Sequence, residues 1–372
     1  MQTSIPSLFM RGGTSRGPFF LASDLPADTA TRDRVLLAVM GSPDPRQIDG
    51  MGGAHPLTSK VGIVSPSNTP GVALDFLFVQ LQPALSTVDT TPNCGNMLAA
   101  VVPFAIERGL ITPQSDSTTV RVLTVNTQMQ CDITVQTPLG PNGRSISYEG
   151  TARIDGVPGS AAPITINFLD TAGSVCSGLL PTGQIRDRVT VSSPDLETFS
   201  LDVTCIDNGM PLVLLRAGDL GCSGYESVAE LNADSALKAR LEALRIHCGH
   251  LMGLEDVSTK NYPKMTLIAE PRAGGSICTR SFIPHVCHDA IGVLAAVTVA
   301  TACVLQGSVC EGLVQLTGSN VSVEHPTGEF SVELGLDPDN PQNVLRAALL
   351  RTARLIMRGE VMVPAALWSP SR

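Results

Sequence analysis

Apolar and polar residues alternate along short runs of this chain: Ala73-Leu74-Asp75-Phe76-Leu77-Phe78-Val79, Val120-Arg121-Val122, Ile164-Thr165-Ile166-Asn167-Phe168, Leu201-Asp202-Val203-Thr204-Cys205 and Val321-Ser322-Val323. Successive side chains of a strand point to opposite faces, so this period of two marks β-strands, and the Gly, Pro and Asn clusters between them supply turns. Three stretches break the rhythm. Asp234 to Ile246 carries Leu237, Leu241 and Leu244 on one stripe behind Asp234 or Ser235 as a cap, which predicts an amphipathic surface helix. Met97 to Ile106 and Ile291 to Ala302 are apolar on nearly every face, which predicts two buried helices. Both contain Leu-Ala-Ala-Val, at 98–101 and 294–297, and each is followed by a glycine stop, Gly109 and Gly307. That repetition points to a distant internal duplication.

A helix without a polar face, in a chain otherwise made of short strands, is best buried by wrapping strands about it. The pattern therefore predicts an α+β protein of two similar lobes, each a curled β-sheet around a central apolar helix. The expected N-terminal lobe is 1–182, the C-terminal lobe 183–349, and segment 350–372 returns to the first. If both helices aim their N-termini at the cleft between lobes, Cys94 and the segment around His288 face each other across an active site rich in free amides.

Composition sets the scale and removes some partners. With 372 residues, 43% hydrophobic and 16% charged, the chain can bury large cores in about two domains. No apolar run reaches the ~18 residues of a membrane span, and the start MQTSIPSLFMRGGTS lacks the basic and apolar regions of a signal peptide. A cytoplasmic protein without a membrane partner is expected. The net charge of −9, with no basic cluster to offset it, argues against a nucleic-acid surface, so an anionic substrate needs local arginines and helix ends. Ten cysteines without framework spacing read as reduced thiols, most of them in the core. A homo-oligomer stays open.

The candidate chemistry lies where Asn93-Cys94-Gly95-Asn96 opens the first apolar helix, downstream of Leu57-Thr58-Ser59-Lys60. Free amides at a helix start stabilise a thiolate or a bound carboxylate. Burial disfavours the charged form of an amine, so a buried lysine can take a proton from carbon. Lys60 and Cys94 are therefore the expected catalytic pair of an enzyme that shifts protons without a cofactor; the plainer alternatives are a solvated lysine and a core cysteine. Cys278, His285, Cys287 and His288 fall within eleven residues, yet adjacent Cys287 and His288 side chains rarely point at one ion and no Cys-x-x-Cys occurs, so no metal is expected. Gly50-Met51-Gly52-Gly53 lacks the further glycine of a dinucleotide fingerprint and reads as a turn beside the site.

Larger blocks carry a resemblance. Arg11-Gly12-Gly13-Thr14-Ser15, Gly41-Ser42-Pro43-Asp44, Arg46-Gln47-Ile48-Asp49-Gly50-Met51-Gly52-Gly53, Thr58-Ser59-Lys60-Val61 and Asn93-Cys94-Gly95-Asn96 together resemble the methylaconitate isomerase family, with the diaminopimelate-epimerase fold. Arg153-Ile154-Asp155-Gly156-Val157-Pro158-Gly159, Ile206-Asp207-Asn208-Gly209-Met210-Pro211, Pro263-Lys264-Met265, Arg280-Ser281-Phe282-Ile283-Pro284-His285 and Glu324-His325-Pro326-Thr327-Gly328-Glu329 look particularly like its 4-oxalomesaconate tautomerase and isomerase branch.

The resemblance implies a cofactor-free proton shift in an unsaturated di- or tricarboxylate, either keto-enol tautomerisation or a 1,3-allylic shift. The family's catalytic lysine and cysteine fall on Lys60 and Cys94. Substrate carboxylates are then expected on the amides of Gly95 and Asn96 and on the turn Gly12-Gly13-Thr14-Ser15, with Arg11, Ser59 and Asn93 beside them and Arg280, His285 and His288 as further partners. Cys287 reads as packing. Isomerisation of aconitate or methylaconitate is the alternative within the family, and a non-catalytic anion-binding protein of the same fold is the alternative outside it. Two positions depart from the family pattern. Arg16 replaces a lysine, exchanging a point charge for a planar fork, and His55 stands where near relatives are acidic; both are expected either to tune substrate choice or to be surface substitutions.

Overall fold

Each of the five alternating runs forms the body of a β-strand in the computed structural model, which describes residues 1–193, 196–316, 318, 320–339 and 344–369. The contacts divide the chain into two units, Met1–Leu169 with Leu350–Arg372, and Asp170–Leu349. The first break falls at Leu169 rather than after 182, because the residues that follow fold onto the end of a strand of the second unit. Asp207 there accepts hydrogen bonds from the amides of Val175 and Cys176 at 2.8 and 2.9 Å, and Ala172 bridges to Asn208.

Unit 1 opens with strands β1 (Gln2–Gly12), β2 (Ser15–Leu21), β3 (Lys60–Pro66), β4 (Leu74–Leu81), β5 (Val88–Asp89), β6 (Ser117–Thr124), β7 (Met129–Gln136), β8 (Leu139–Gly140), β9 (Gly143–Arg144) and β10 (Ile164–Phe168). Unit 2 carries β11 (Asp187–Ser193), β12 (Leu196–Asp207), β13 (Pro211–Arg216), β14 (Lys264–Ala269), β15 (Ile277–Phe282), β16 (Asn320–His325) and β17 (Gly328–Leu336). Strand β18 (Val344–Arg351) ends as the chain re-enters unit 1, where β19 (Ala353–Pro364) completes it. The helices are α1 (Thr29–Met40), α2 (Gly95–Leu98) and α3 (Val101–Glu107) in unit 1, and α4 (Val228–Ala233), α5 (Ser235–Leu251) and α6 (Val293–Val304) in unit 2.

Strand order reveals the repeat more firmly than the sequence does. In unit 1 the order β19-β1-β2-β3-β4-β6-β7-β10 reads antiparallel, antiparallel, parallel, antiparallel, parallel, antiparallel, antiparallel. In unit 2 the order β11-β12-β13-β14-β15-β16-β17-β18 gives the same series. Both parallel joints need helical crossovers. The first is made by α1 in one unit and by α4 and α5 in the other; the second is made by α2 and α3, and by α6.

The paired crossovers cover opposite faces. Residues Val35, Leu36, Val39 and Met40 of α1 pack with Ile5, Phe20, Val61 and Val79 of the sheet, while Phe104 of α3 meets the ring of Phe19, next along β2 and thus on the other face. In unit 2, Leu237, Leu241 and Leu244 of α5 bury their stripe against β11 to β15, and α6, buried over most of its length, touches β12, β13, β16 and β17. The cap expected at Asp234 is present, with its carboxylate accepting from the Leu237 amide at 2.8 Å. Among the described residues no helix is long and apolar enough to cross a membrane.

Two helix expectations need correction. The apolar stretch 97–106 is not one helix but the end of α2 and most of α3, parted at Ala99-Ala100. Pro103 has no N–H to give the Ala99 carbonyl, and its ring would clash there, so it fits only the first turn of a new helix. The Leu-Ala-Ala-Val match consequently straddles a break in unit 1 and lies inside α6 in unit 2, and does not mark equivalent turns. Helix α1 escaped the periodic reading because its buried residues crowd into its second half, although Asp28 as cap and Gly41 at φ 76° bound it cleanly.

Candidate active site

Three segments of unit 1 converge. The first is the β1–β2 hairpin, where Gly12 pairs with Ser15 across the loop Gly13-Thr14. Gly13 has φ +52°, and a Cβ on it would overlap the Asn96 side chain, so the tight turn and the approach of Asn96 both depend on glycine. Asn96 closes the contact, its Nδ2 donating to Thr14 Oγ1 at 2.9 Å. The second segment runs Asn93 to Asn96. The Cys94 amide donates to Asn93 Oδ1 at 2.8 Å, and the Cys94 carbonyl accepts from Leu98 N at 2.9 Å, which makes Cys94 the N-cap of α2.

The third segment ends at Lys60, first residue of β3. Strand β2 runs so close beside it that a Cβ on Gly17 would overlap the Lys60 carbonyl oxygen. Just before it, Ser59 is fully buried and its hydroxyl lies 2.8 Å from both Gln47 Oε1 and the His55 carbonyl. The result is a buried polar pair. Lys60 and Cys94 are 8% and 9% exposed, and Lys60 Nζ donates to Cys94 Sγ at 3.4 Å, with the Phe78 ring 5.5 Å from the amine. An amine and a thiol at that distance can pass a proton between them, and apolar walls strengthen their field on a bound anion.

The other residues expected here have distinct placements. Ser15 Oγ is buried without a hydrogen-bond partner, a polar atom with capacity for a ligand. Arg11 is half-buried and serves the turn: its Nη1 donates to the Gly13 carbonyl at 2.8 Å and to the carbonyl and hydroxyl of Thr352 at 3.1 and 3.0 Å. Burial, with Arg354 nearby, lowers its pKa from the ordinary arginine value. Arg16 is exposed, its guanidinium 5.9 Å from the Phe9 ring, and exposed His55 caps the short turn Pro56–Thr58 by accepting from Leu57 N at 3.1 Å.

In unit 2 the expected residues do not gather as a group. Arg280 is buried with Nε on the Glu226 carbonyl and Nη1 on the Thr279 carbonyl, both at 2.9 Å, so two of its three nitrogens hold the framework. His285 is half exposed with Nδ1 3.5 Å from Glu242, and exposed His288 accepts from the Ala290 amide at 2.8 Å. Cys287 packs in the core under α5, where burial pushes its thiol up to about 11. Among the described residues no three His, Cys, Asp or Glu side chains converge as a metal ion requires.

Two residues escaped the sequence reading. Gln47, buried at φ 48°, accepts from the Ala54 amide at 2.9 Å and from Ser59, and so fixes the loop that delivers Lys60; its place among glycines was the available signal. Lys264 is the first residue of β14, as Lys60 is of β3, and each of these strands is the parallel partner reached by the first crossover of its unit. A Cβ on Gly292, the N-cap of α6, would lie 3.8 Å from Lys264 Nζ, matching Lys60 beside the N-cap Cys94. Burial alone pushes the Lys264 amine below the usual lysine value, and no hydrogen bond or ion pair reaches it among the described residues. Recognising it required the fold's repeat.

The sequence profile of the family described as PrpF protein matches residues 2–364. The (4E)-oxalomesaconate Delta-isomerase of Novosphingobium sp. is 53% identical over 363 residues, covering 97% of this chain and 98% of its own. The 4-oxalomesaconate tautomerase of Pseudomonas putida is 51% identical over 371 residues, covering 99% and 98%. Among solved structures, methylitaconate-delta-isomerase superposes with a TM-score of 0.85 at 32% identity over 100% of both chains, a likeness that shares this α+β fold.

Proposed function

The chain belongs to the PrpF protein family, and from that premise we propose that it is an isomerase acting on 4-oxalomesaconate or a closely similar unsaturated oxo-tricarboxylate. The observation that carries the reading is the buried Lys60–Cys94 pair at 3.4 Å, framed by the Asn96–Thr14 contact. Identities of 53% and 51% to relatives named for oxalomesaconate support the substrate class.

Keto and carboxylate groups acidify the carbon next to the substrate's double bond. Lys60 takes that proton, and the electron pair left behind spreads over the conjugated system as an enolate. The Cys94 thiol and the amides of Gly95 and Asn96 hold the developing charge, while the free hydroxyl of Ser15 offers a further donor. The proton then returns either to oxygen, completing a tautomerisation, or to the distant carbon, completing a 1,3-allylic shift. Both reactions share the first step, and the substrate itself is the electron sink.

The test is incubation with a panel of unsaturated tricarboxylates in heavy water, followed by NMR. Deuterium should enter oxalomesaconate at the acidic carbon, and the position of further label separates the two outcomes. Binding without exchange anywhere in the panel would overturn the enzymatic reading in favour of an anion-binding protein of this fold.

A further inference from the structure

Lys60 begins its strand in a row of three side chains. In the antiparallel ladders Lys60 of β3 stands opposite Gln80 of β4, and Gln80 stands opposite Asp89 of β5. Directly opposed residues share a face of the sheet, so an amine, an uncharged amide and a carboxylate lie side by side in that order. Phe78 precedes Gln80 by two positions and points the same way, which is how its ring comes to lie 5.5 Å from the amine. Asp89 turns back on Thr91, accepting from its amide at 2.9 Å and from its hydroxyl at 2.7 Å. Arg16 of β2 faces the turn before Lys60, since a Cβ on Gly53 would crowd both its Nη2 and the Thr58 side chain.

The orientation of Gln80 is forced. Its Nε2 donates towards the carbonyls of Pro56 and Ser59, both at 3.1 Å, and of Leu81 at 3.0 Å. Carbonyls only accept, so the amide nitrogen and not the oxygen must face them, and its two hydrogens are shared among three acceptors. Pro56 opens the short turn Pro56–Thr58 and Ser59 closes it, so one side chain holds both ends of the turn from which Lys60 emerges. The Ser59 carbonyl takes a second bond from the Leu81 amide at 3.0 Å, while the Ser59 hydroxyl is held on the other side by Gln47 at 2.8 Å.

We infer that Gln80 is a positioning residue for Lys60 with two tasks: its donors fix the turn that sets where the amine stands, and its neutrality keeps negative charge from the place next to that amine. The inference rests on Lys60 being the base. A base held slightly out of place loses rate, and one beside an anion keeps its own proton and cannot collect another from carbon. Glutamine meets both demands. Glutamate has the same shape but would turn oxygens towards three carbonyls, and methionine has the length but no donor.

Those two replacements separate the tasks in the full chain, with oxalomesaconate turnover followed across pH and rates taken per folded molecule from a urea titration. Gln80→Met removes the donors and adds no charge. Its kcat should fall by about tenfold, its KM should stay within about threefold, and the acid limb of its pH profile should remain where wild type has it. Gln80→Glu sets a carboxylate opposite the amine and holds the proton on Lys60. The same limb should then move to higher pH by about one unit, a displacement that a merely architectural residue would not cause. Wild-type kcat in Gln80→Met, or an unmoved limb in Gln80→Glu, overturns the inference alone. Wild-type turnover in Lys60→Ala would instead remove the base itself, and the inference with it.

Discussion

Lys60 and Cys94 share a hydrogen bond, and the proposed mechanism gives them different roles that replacement separates. On that proposal Lys60→Ala removes the base, so turnover and deuterium exchange should both fall by at least the ~10²–10⁴-fold of general-base catalysis. Cys94→Ser keeps a hydrogen-bond donor at the N-cap and should cost less, although a hydroxyl is a poorer acid than a thiol. Normal exchange in Lys60→Ala together with none in Cys94→Ser would reverse the assignment. Lys264 opens a strand of unit 2 at the place Lys60 holds in the repeat, so Lys264→Ala beside Lys60→Ala asks whether the two units still share any chemistry.

At the scale of elements, the site depends on how closely β2 lies beside β3. Gly17→Ala puts a methyl into the Lys60 carbonyl, which only a spreading of the two strands can relieve. It should destabilise the protein by roughly 1–3 kcal/mol and reduce activity by more than the lost folded fraction explains, whereas Gly218→Ala, with open space around it, should stay within about 0.5 kcal/mol and keep full activity. Urea titration alongside a rate measurement checks the pair. The strands were legible in the chain because alternation survives wherever one face is buried, and β10 coincides with Ile164–Phe168. Helix α5 was equally plain, with a leucine stripe and an aspartate cap. What misled was hydrophobicity without periodicity: an apolar run such as 97–106 looks continuous until Pro103 is asked which carbonyl it would leave unpaired. The placement of Lys60 near Cys94 rested on motifs, since a separation of 34 positions carries no spacing rule. Gln47 stayed hidden because its bonds to Ala54 and Ser59 follow no spacing rule, and Lys264 because only the repeat of strands and crossovers pairs its position with that of Lys60.

For the whole molecule, burial of thiols sets the response to alkali. Cys131, Cys205, Cys278, Cys287 and Cys303 lie in the cores, and with half-buried Cys176 and Cys222 all are pushed above the ordinary thiol value of 9.0, Cys205 and Cys303 first by their hydrogen bonds with Cys248 and Cys310 and then by burial, the others first by burial. Above that value an unfolded chain sheds protons that the folded one keeps, so the unfolded state binds fewer and stability falls as pH rises. Lys264, pushed down, works the other way but is a single group. The urea midpoint should therefore drop between about pH 8 and about pH 10, and a midpoint that holds or rises would show that these thiols are not shielded as described. A different consequence follows from the pairing of β1 with β19, the first strand with the last, tied further by the Ala365 amide on the Met1 carbonyl at 3.1 Å. Unit 2 is one uninterrupted stretch, whereas unit 1 is assembled from two segments that flank it along the chain. The half of the protein that carries Lys60 and Cys94 therefore closes only when β1 and β19 meet across a loop that contains the whole of unit 2, a contact of high sequence separation that is slow to form.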